Sequence, residues 1–509
     1  MLNVGSLLGH WARYRPDEIT VAFAGQRISF IQHNRRVQRC ATALQGLGLR
    51  HGDRLAVMLP NCIELLELYR ACALIGLVMV PVSPMLQASG LATVLADSGA
   101  AALVTHPSLQ ATLAELHTAG SDLPRHRWCM TGAGAEGYLH YESLLANVDT
   151  TPVEVDVDPD DPCQIMYSSG TTGAPKGIVI THRIRAMYAL VFSAHFGIDA
   201  NSVVMHSGSL VFNGAFVTMM PSWLQGCRYL LDARFSADDF IQTIRREAVT
   251  HVMMVPSQIA AVLDSPHFSA DALSSLKMLC SVGSPLPIEH KHRLMQVVPH
   301  ALYELYGLTE GFFTILDNAD VAAHPGTVGR TLPFSEMRIA DAEGCELLAG
   351  ETGEILGRGP VLMPGYYQQP ELTANTLVDG WLRTGDLGFI DEHGFLNLVD
   401  RKKDLIISGG VNVYPRDIEE VACQHPAVRE AAVFGVPDPK WGECPIAALM
   451  LRPGESIEAQ ALLEWINANV AARFQRLRDV VVLAEFPRNI AGKTLKRELR
   501  RQYLDTESA

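Results

Sequence analysis

The sequence lacks any paired cysteine motif. Its ten cysteines are scattered singly from Cys40 to Cys444, and no two of them are separated by two residues. This spacing argues against a zinc site and against a disulfide framework. The expected compartment is therefore a reducing cytoplasm, where most of these thiols would serve as small buried hydrophobes.

The sequence also lacks an apolar run long enough to cross a membrane. The longest apolar stretch, residues 71–84, is too short to span a bilayer. The N-terminus has no basic segment followed by an apolar one, because His10, Trp11 and Arg13 interrupt it. These absences predict a soluble protein with no transmembrane segment.

Positive charge is in deficit as well. The chain has 41 lysines and arginines against 55 acidic residues, a formal net charge of −14. Nucleic acid is therefore not expected as a partner. The length, 509 residues, predicts two or more domains, and a hydrophobic share of 48% provides material for buried sheets and helices.

The order of apolar and polar segments predicts an α/β fold. Short apolar strands alternate with helical patterns near residues 53–105 and again after residue 178, which is typical of parallel sheets covered on both faces. Residues 4–48 read as helical with a brief extended interruption at 27–30, and residues 107–160 as a polar, irregular linker. Short strands between residues 326 and 400 indicate a small barrel or distorted sheet. The segment from about residue 411 has its own alternation, joined by the charged run 400–404.

The most distinctive stretch is YSSGTTGAPKG at residues 167–177. It lies between two apolar segments and contains two serines, two threonines, three glycines and one lysine, with no acidic residue. Glycines let backbone N–H groups point inward together, and Lys176 adds a positive charge, which suits a polyphosphate. A Walker loop does not fit, because Pro175 precedes the lysine and Gly177 follows it. A plain turn is the alternative, but it seldom needs this many hydroxyls in order.

Four further stretches carry polar residues where the apolar pattern breaks. They are YGLTE at 306–310, WLRTGD at 381–386, Arg401 in the charged joint, and NIAGK at 489–493. A glutamate after a strand can hold Mg²⁺ beside substrate phosphates, and an aspartate in a tight turn suits ribose hydroxyls. Each alone is as readily a surface charge, a turn residue or a solvated hinge.

Together and in this order, the five motifs resemble those of the adenylate-forming superfamily, which includes acyl-CoA synthetases, adenylation domains of peptide synthetases and firefly-type luciferases. The resemblance covers nearly the whole chain. It implies a large N-terminal domain of two α/β subdomains plus a small barrel, residues 1–400. It also implies a small mobile α+β C-terminal domain, residues 401–509, which carries the adenylation lysine.

The resemblance assigns roles to individual positions. Tyr306 would pack on the adenine, Thr309 would contact the α-phosphate, Glu310 would hold Mg²⁺, and Lys493 would bridge the substrate carboxylate and the α-phosphate. Thr309, Glu310 and Lys493 are thus the expected catalytic residues. The implied ATP-binding residues are Ser168, Ser169, Gly170, Thr171, Thr172, Gly173, Lys176, Gly283, Ser284, Pro285, Tyr306, Thr309, Asp386, Arg401 and Lys493.

The resemblance also implies a second conformation. Lys403 occupies the hinge position, about which the C-terminal domain would turn and withdraw Lys493. Ser408, Gly409 and Gly410 would then lie at the site, where glycines let the pantetheine arm of coenzyme A pass close to backbone. The coenzyme thiol would attack the acyl carbonyl, so no protein cysteine is needed as a nucleophile.

The acyl pocket departs from the family pattern. Phe212 stands where the family often has a histidine, which puts that motif's gating role in doubt. The expected lining is almost all apolar, and no basic residue is evident in it to hold a second carboxylate. A monocarboxylic acid with a fatty, aryl or alicyclic body is therefore favoured over a dicarboxylate. The lining residues expected are Phe212, Asn213, Gly214, Phe216, Val255 and Phe312.

The sequence thus predicts an ATP-dependent carboxylic acid–CoA ligase that uses Mg²⁺ and forms acyl-AMP and pyrophosphate before acyl-CoA. A stand-alone enzyme that loads a separate acyl carrier protein is the main alternative. Luciferase-like oxygenation and a binding protein with an inactive site are disfavoured alternatives, the latter because the charged motif residues are all present. Homodimerisation is left open.

Overall fold

The computed structural model describes residues 2–118, 128–132, 137–148, 153, 155–168, 176–401, 404–408, 411–439, 441–488 and 493–507. The chain divides into two compact units. The first comprises residues 1–325, 331–336 and 358–382, and the second comprises residues 326–330, 337–357 and 383–509. The functional boundary expected at residue 400 stays a prediction.

The first unit contains most of the helices. They are α1 (Leu7–Tyr14), α2 (Phe30–Gly46), α3 (Ile63–Ile75), α4 (Ala88–Ser98), α5 (Gln110–Thr118), α6 (Tyr141–Ala146), α7 (His182–Phe196), α8 (Phe216–Gln225), α9 (Ala237–Glu247), α10 (Pro256–Leu263), α11 (Ile288–Val297) and α12 (Pro370–Thr376).

Its strands form two sheets. They are β1 (Ile19–Phe23), β2 (Gln26–Ser29), β3 (Arg54–Met58), β4 (Val78–Pro81), β5 (Ala102–Thr105), β6 (Trp128–Met130), β7 (Leu139–His140), β8 (Pro162–Ser168), β9 (Lys176–Thr181), β10 (Val203–His206), β11 (Arg228–Leu231), β12 (His251–Met254), β13 (Met278–Val282), β14 (Leu302–Gly307) and β15 (Phe313–Leu316).

Both sheets are mainly parallel. One runs β7-β6-β5-β3-β4-β8-β9, and the other includes β15-β14-β13-β12-β10-β11-β1-β2 in that order. The antiparallel pairs are β8 with β9, β14 with β15, and β1 with β2. Helix α3 is buried along nearly its whole length, with Glu67 and Arg70 among its buried residues, so it forms core and not surface. One large apolar cluster draws residues from both sheets and their helices.

The remaining elements complete the chain. The strands are β16 (Arg330–Thr331), β17 (Glu336–Ala340), β18 (Gly353–Arg358), β19 (Leu377–Val378), β20 (Trp381–Ile390), β21 (Leu396–Arg401), β22 (Ile406–Ser408), β23 (Val411–Val413), β24 (Val428–Asp438), β25 (Gly442–Leu451) and β26 (Asp479–Val482), and the helices are α13 (Pro415–Cys423), α14 (Ala459–Asn469) and α15 (Lys496–Glu507).

The second unit has two small sheets. In one, β18 lies between β17 and β20, and β21 pairs with β20. In the other, the order is β23-β22-β25-β24, with β26 parallel to β25. The expected α/β class, with two α/β subdomains, a further small sheet and a small C-terminal α+β part, is confirmed.

Two sequence interpretations were wrong. Residues 107–160 are not an irregular linker, because β6 and β7 extend the parallel sheet beside β5. The helical reading of residues 4–48 missed β1, in which Val21, Ala22 and Phe23 pair in parallel with β11. Strands this short show little periodicity, and their partners lie far along the chain. Among the described residues, no helix is both long and apolar enough to cross a membrane.

Candidate active site

The predicted phosphate loop joins two antiparallel strands of the first unit. Strand β8 ends at Ser168 and β9 begins at Lys176, and these two residues face each other in the register of the pair. The strand pair therefore holds both ends of the loop together and places Lys176 where the chain leaves it. The loop residues Ser169, Gly170, Thr171, Thr172 and Gly173 lie outside the described residues.

Tyr366 brings Lys176 and Glu310 together. The Lys176 Nζ atom lies 5.5 Å from the centre of the Tyr366 ring, within cation–π range. The Tyr366 hydroxyl donates a 2.9 Å hydrogen bond to Glu310 Oε1. Burial, reinforced by the Glu310 carboxylate, raises the pKa of Tyr366, so its hydroxyl keeps the proton that it donates. Tyr366 was not among the residues predicted from sequence, where the Pro-Gly pair before it is typical only of a turn.

Residues 361–367, here called the bridging segment, are bonded to both predicted motifs. The backbone N–H of Tyr367 donates to the carbonyl of Gly177 at 2.7 Å, and the N–H of Met363 donates to the carbonyl of Glu310 at 2.9 Å. The segment thus fixes the strand that follows the phosphate loop relative to the YGLTE turn.

The YGLTE motif comprises the last two residues of β14 and the first three of the turn that leads to β15. Tyr306 and Thr309 are half-buried, and the Tyr306 ring meets Phe312 edge to face with centroids 6.4 Å apart. Gly311 has φ +109°, and a Cβ atom there would lie 1.9 Å from the Val361 carbonyl oxygen. Only glycine fits this close approach of the turn to the bridging segment.

The predicted adenine-flanking residues Gly283, Ser284 and Pro285 directly follow β13 and are exposed. Strand β13 lies beside β14 in parallel, so these residues emerge at the same sheet edge as Tyr306. The carboxyl ends of parallel strands are the usual site of ligands in open α/β sheets. The structure therefore brings these two predicted nucleotide segments to one edge.

A buried ion pair lies directly beneath that edge. Glu304 of β14 and Lys291 of α11 form a salt bridge, with both side chains 4% exposed. Glu304 Oε1 also accepts a 2.8 Å hydrogen bond from the backbone N–H of Leu286, and Lys291 Nζ donates to the Pro325 carbonyl at 2.5 Å. Glu304 thereby fixes the chain just after Pro285. The sequence analysis did not single out this pair.

The expected acyl-pocket residues lie around the ends of the same strands. A Cβ atom on Gly214 would lie 3.8 Å from Val282, and one on Gly283 would lie 3.6 Å from Val255. Phe312 packs on Tyr306, as described above.

Phe212 is half-buried and precedes the short 3₁₀ turn Asn213–Ala215 as its N-cap residue. This turn leads into α8, whose first residue is Phe216.

One basic residue that was not predicted from sequence contacts two of the expected lining residues. Arg185 of α7 is fully buried and donates from Nη1 to Asn213 Oδ1 at 2.9 Å. Its guanidinium carbon lies 3.6 Å from the centre of the Phe216 ring. The charge was overlooked because Arg185 lies on a helix whose sequence gives no sign of which residues it faces.

The second unit contains the predicted ribose pair. Asp386 of β20 lies opposite Arg401 of β21 in the strand register, with 3.4 Å between Asp386 Oδ1 and Arg401 Nε. Gly385 has φ +72°, and the Thr384 hydroxyl accepts a bond from the Asp386 N–H at 3.1 Å and donates to the Ile355 carbonyl at 2.8 Å. The Thr-Gly-Asp turn therefore holds a carboxylate beside a guanidinium.

We expect Asp386→Asn to raise the KM for ATP about ten- to hundredfold, because hydrogen bonds to a charged group contribute about 1.5–3 kcal/mol. The KM for the acid should change much less. Steady-state kinetics with each substrate varied in turn would measure this. The matched control is Glu392→Gln, since the Glu392 side chain is 86% exposed. An unchanged KM for ATP would contradict the ribose role.

The predicted adenylation lysine lies next to a residue that is bonded back to Arg488. Arg488 and Thr494 form an isolated β-bridge. Both also donate hydrogen bonds to the Glu430 carboxylate, Arg488 from Nη2 at 2.5 Å and Thr494 from Oγ1 at 3.1 Å. Lys493, next to Thr494, is exposed.

The hinge and pantetheine predictions fall mainly outside the described residues: Lys403, Gly409 and Gly410 are not among them, and Ser408 ends β22. Before the hinge, burial raises the pKa of Asp400 to about 6, and the Lys496 ammonium opposes that shift. Asp400 accepts the backbone N–H groups of Arg401 and Arg416 at 2.7 and 3.1 Å. This carboxylate thus ties the end of β21 to the start of α13.

The donor set suits a magnesium ion shared with a nucleotide. In the described part of the chain, no group of three or more His, Cys, Asp or Glu side chains could hold a metal. Mg²⁺ usually takes only one or two protein carboxylates and completes its shell with water and substrate phosphates. Glu310, beside Lys176 and Tyr366, fits that requirement.

The comparisons with known proteins agree with this geometry. The sequence model of the AMP-binding enzyme family matches residues 8–367, and that of the AMP-binding enzyme C-terminal domain matches residues 417–493. The chain is 34% identical to a feruloyl-CoA synthase from Amycolatopsis sp, over 99% of this chain and 100% of the relative. It is 31% identical to an indoleacetate–CoA ligase from Aromatoleum aromaticum, over 98% of each.

A solved structure agrees over the full length. The ATP-bound MatB from Rhodopseudomonas palustris superposes with a TM-score of 0.90 and 29% identity, over 99% of both chains. The chain belongs to the AMP-binding enzyme family. Within that family it is an AMP-forming acid–CoA ligase, with ATP, a carboxylic acid and coenzyme A as substrates.

Proposed function

We propose that this ligase activates a monocarboxylic acid whose body is largely apolar: a medium- or long-chain fatty acid, an aryl acid or an alicyclic acid. The apolar character of Phe212, Phe216, Val255 and Phe312 supports this substrate class. Two relatives, the feruloyl-CoA synthase and the indoleacetate–CoA ligase, are named for aryl acids. Free coenzyme A is the proposed acceptor, as it is in those names.

The cluster of Lys176, Tyr366 and Glu310 carries the proposal. It places a cation over the ring of Tyr366 and a carboxylate at the hydroxyl of the same side chain, at the exit of a glycine- and hydroxyl-rich loop. An isolated cation would suit any anion, and an isolated carboxylate any metal. Together they suit a polyphosphate that arrives with its own divalent cation.

The first half-reaction joins the acid to AMP. A carboxylate oxygen attacks the α-phosphorus of ATP, the bond from that phosphorus to the β-phosphate oxygen breaks, and pyrophosphate leaves. Lys176 and the hydroxyls of 168–172 would hold the departing phosphates, and Thr309 and Lys493 the reacting α-phosphate. Positioning and cationic contacts supply most of the catalysis in phosphoryl-type transfer. Mg²⁺ bound at Glu310 would supply further neutralisation of phosphate charge.

The nucleoside end would be held separately from the phosphates. Tyr306 and the segment Gly283–Pro285 are proposed to flank the adenine. Asp386 and Arg401 are proposed to bind the ribose hydroxyls. A carboxylate suits this role, because its two oxygens can each accept a bond from one hydroxyl.

The second half-reaction transfers the acyl group. The sulfur of coenzyme A attacks the acyl carbon, the bond to the AMP oxygen breaks, and the thiol proton is released. Residues 401–509 are proposed to turn about Lys403, so that Ser408, Gly409 and Gly410 replace Lys493 at the site. AMP and the thioester are the final products.

Pyrophosphate exchange tests the proposal. Labelled pyrophosphate should enter ATP only when an accepted acid is present, and a panel of fatty, aryl and alicyclic acids would rank the substrates. Product analysis should give AMP and a thioester with free coenzyme A. Formation of ADP would contradict the proposed cleavage, and a thioester formed only on carrier proteins would favour the carrier-loading alternative.

A further inference from the structure

Arg185 is among the largest side chains that are fully buried in the protein. Its Nε and Nη2 atoms donate to Gln164 Oε1, with the Nε bond at 2.8 Å, and Nη1 donates to Asn213 Oδ1 at 2.9 Å. The face of the guanidinium lies against Phe216. These contacts connect α7 with β8, which leads into the phosphate loop, and with the start of α8.

This arginine has no counter-ion among the described residues. Burial lowers the pKa of Arg185 to about 10, and the groups that oppose the shift are Tyr188, Cys163 and Tyr69, none of them a carboxylate. The group is therefore charged at neutral pH. A buried, unpaired charge is strongly unfavourable unless something compensates it, so the protein retains a destabilising group here.

The guanidinium has donors left over. It carries five N–H bonds, and the bonds to Gln164 and Asn213 use three of them. Asn213 in turn is held in one orientation, because its Oδ1 accepts from Arg185 while its Nδ2 donates to the Tyr188 hydroxyl at 3.2 Å. The donors and the charge therefore lie directly behind two residues, Asn213 and Phe216, that belong to the proposed acyl pocket.

We infer that Arg185 is a specificity-determining residue that makes the Asn213–Phe216 end of the pocket select acids with an oxygen acceptor on an otherwise apolar body. A ring hydroxyl or ether oxygen distant from the reacting carboxylate satisfies this requirement. Such an oxygen supplies negative potential to the Arg185 guanidinium, which has no carboxylate partner among the described residues. Because the protein interior has a low dielectric constant, the guanidinium charge can act on that oxygen across the side chains of Asn213 and Phe216. The inference rests on the proposed function, since it concerns the same pocket.

The test compares an acid with its oxygenated counterpart. The first acid is the one that gives the fastest pyrophosphate exchange. The second has the same carbon skeleton and differs by a single ring or chain hydroxyl, which is added if the first acid lacks it and removed if the first acid has it. In the wild-type enzyme, kcat/KM should favour the oxygenated member at least tenfold. In Arg185→Met, which keeps length but removes the charge, the ratio should fall to about one, with the KM for ATP unchanged.

Three further variants separate charge from packing. Arg183→Met is the matched control, because Arg183 lies on the same helix but is exposed and paired with Asp160. It should keep the wild-type ratio. Arg185→Lys retains the charge without the fork of bonds to Gln164 and should keep most of the preference. Arg185→Gln removes the charge but keeps a polar group, should lose the preference, and replaces Arg185→Met if that variant does not fold.

Three results would overturn the inference. They are a wild-type ratio near one, an unchanged ratio in a folded Arg185→Met enzyme, and loss of the preference in Arg185→Lys. Failure of the proposed function looks different: no acid of any kind would then support pyrophosphate exchange or AMP formation in the wild-type enzyme.

Discussion

Replacing Lys493 with alanine is expected to slow formation of the acyl-adenylate by about two to three orders of magnitude, as for the loss of one transition-state charge contact. The proposed role is to bridge the acid's carboxylate and the α-phosphate, where negative charge must be neutralised as the new bond forms. The β-bridge and Glu430 fasten the chain on both sides of residues 489–492, which limits the positions open to the lysine.

The two half-reactions should respond differently to this change. Pyrophosphate exchange reports the first, and thioester formation from pre-made acyl-AMP reports the second. Lys493→Ala should reduce the first and leave the second nearly unchanged. Arg501→Ala is the control, because it removes one positive charge from α15 at a side chain that is 68% exposed. An equal loss in both half-reactions would show that Lys493 does not have the assigned role.

Removing one partner of the Lys291–Glu304 pair should have the largest effect on stability. Glu304→Leu would leave the Lys291 ammonium buried without its carboxylate, which typically lowers the free energy of unfolding by about 3–5 kcal/mol. It would also leave the Leu286 N–H without its acceptor. Leu286 directly follows the residues proposed to flank the adenine, so loss of this hydrogen bond should displace them. The KM for ATP should therefore rise in the fraction of the Glu304→Leu enzyme that remains folded.

A double variant separates the charge from the hydrogen bond. Glu304→Gln combined with Lys291→Met removes both charges but retains an acceptor oxygen for the Leu286 N–H. We expect it to be clearly more stable than Glu304→Leu in urea unfolding and to keep a KM for ATP near that of the wild type. A Glu304→Leu enzyme within about 1 kcal/mol of the wild type would contradict the argument, since surface changes cost up to about 0.5 kcal/mol.

The sequence predicts the parts of the candidate site that are continuous in the chain. Lys176, Glu310 and Asp386 each lie in a short run where glycines and hydroxyls interrupt apolar strands, and such interruptions are visible without a structure. The structure brings Lys176 and Glu310 to one ring and sets Asp386 opposite Arg401.

The residues that join these motifs could not be predicted. Tyr366 meets Glu310 across 56 residues of chain, and nothing around it distinguishes it from an ordinary core tyrosine. Arg185 reads as one more polar residue on a helix until its neighbours on other elements are known. The same reason explains why β1, β6 and β7 were missed, because a strand of a few residues is defined by its distant partner.

The bridging segment has a consequence for how the enzyme can vary. Its backbone is bonded to Gly177 on one side and Glu310 on the other, and its tyrosine contacts both Lys176 and Glu310. A change in this short stretch is therefore expected to alter two proposed functions at once, the binding of the leaving pyrophosphate by Lys176 and the binding of Mg²⁺ by Glu310. Pyrophosphate binding and Mg²⁺ binding are therefore expected to change together in evolution, because a substitution in this segment that alters one also alters the other.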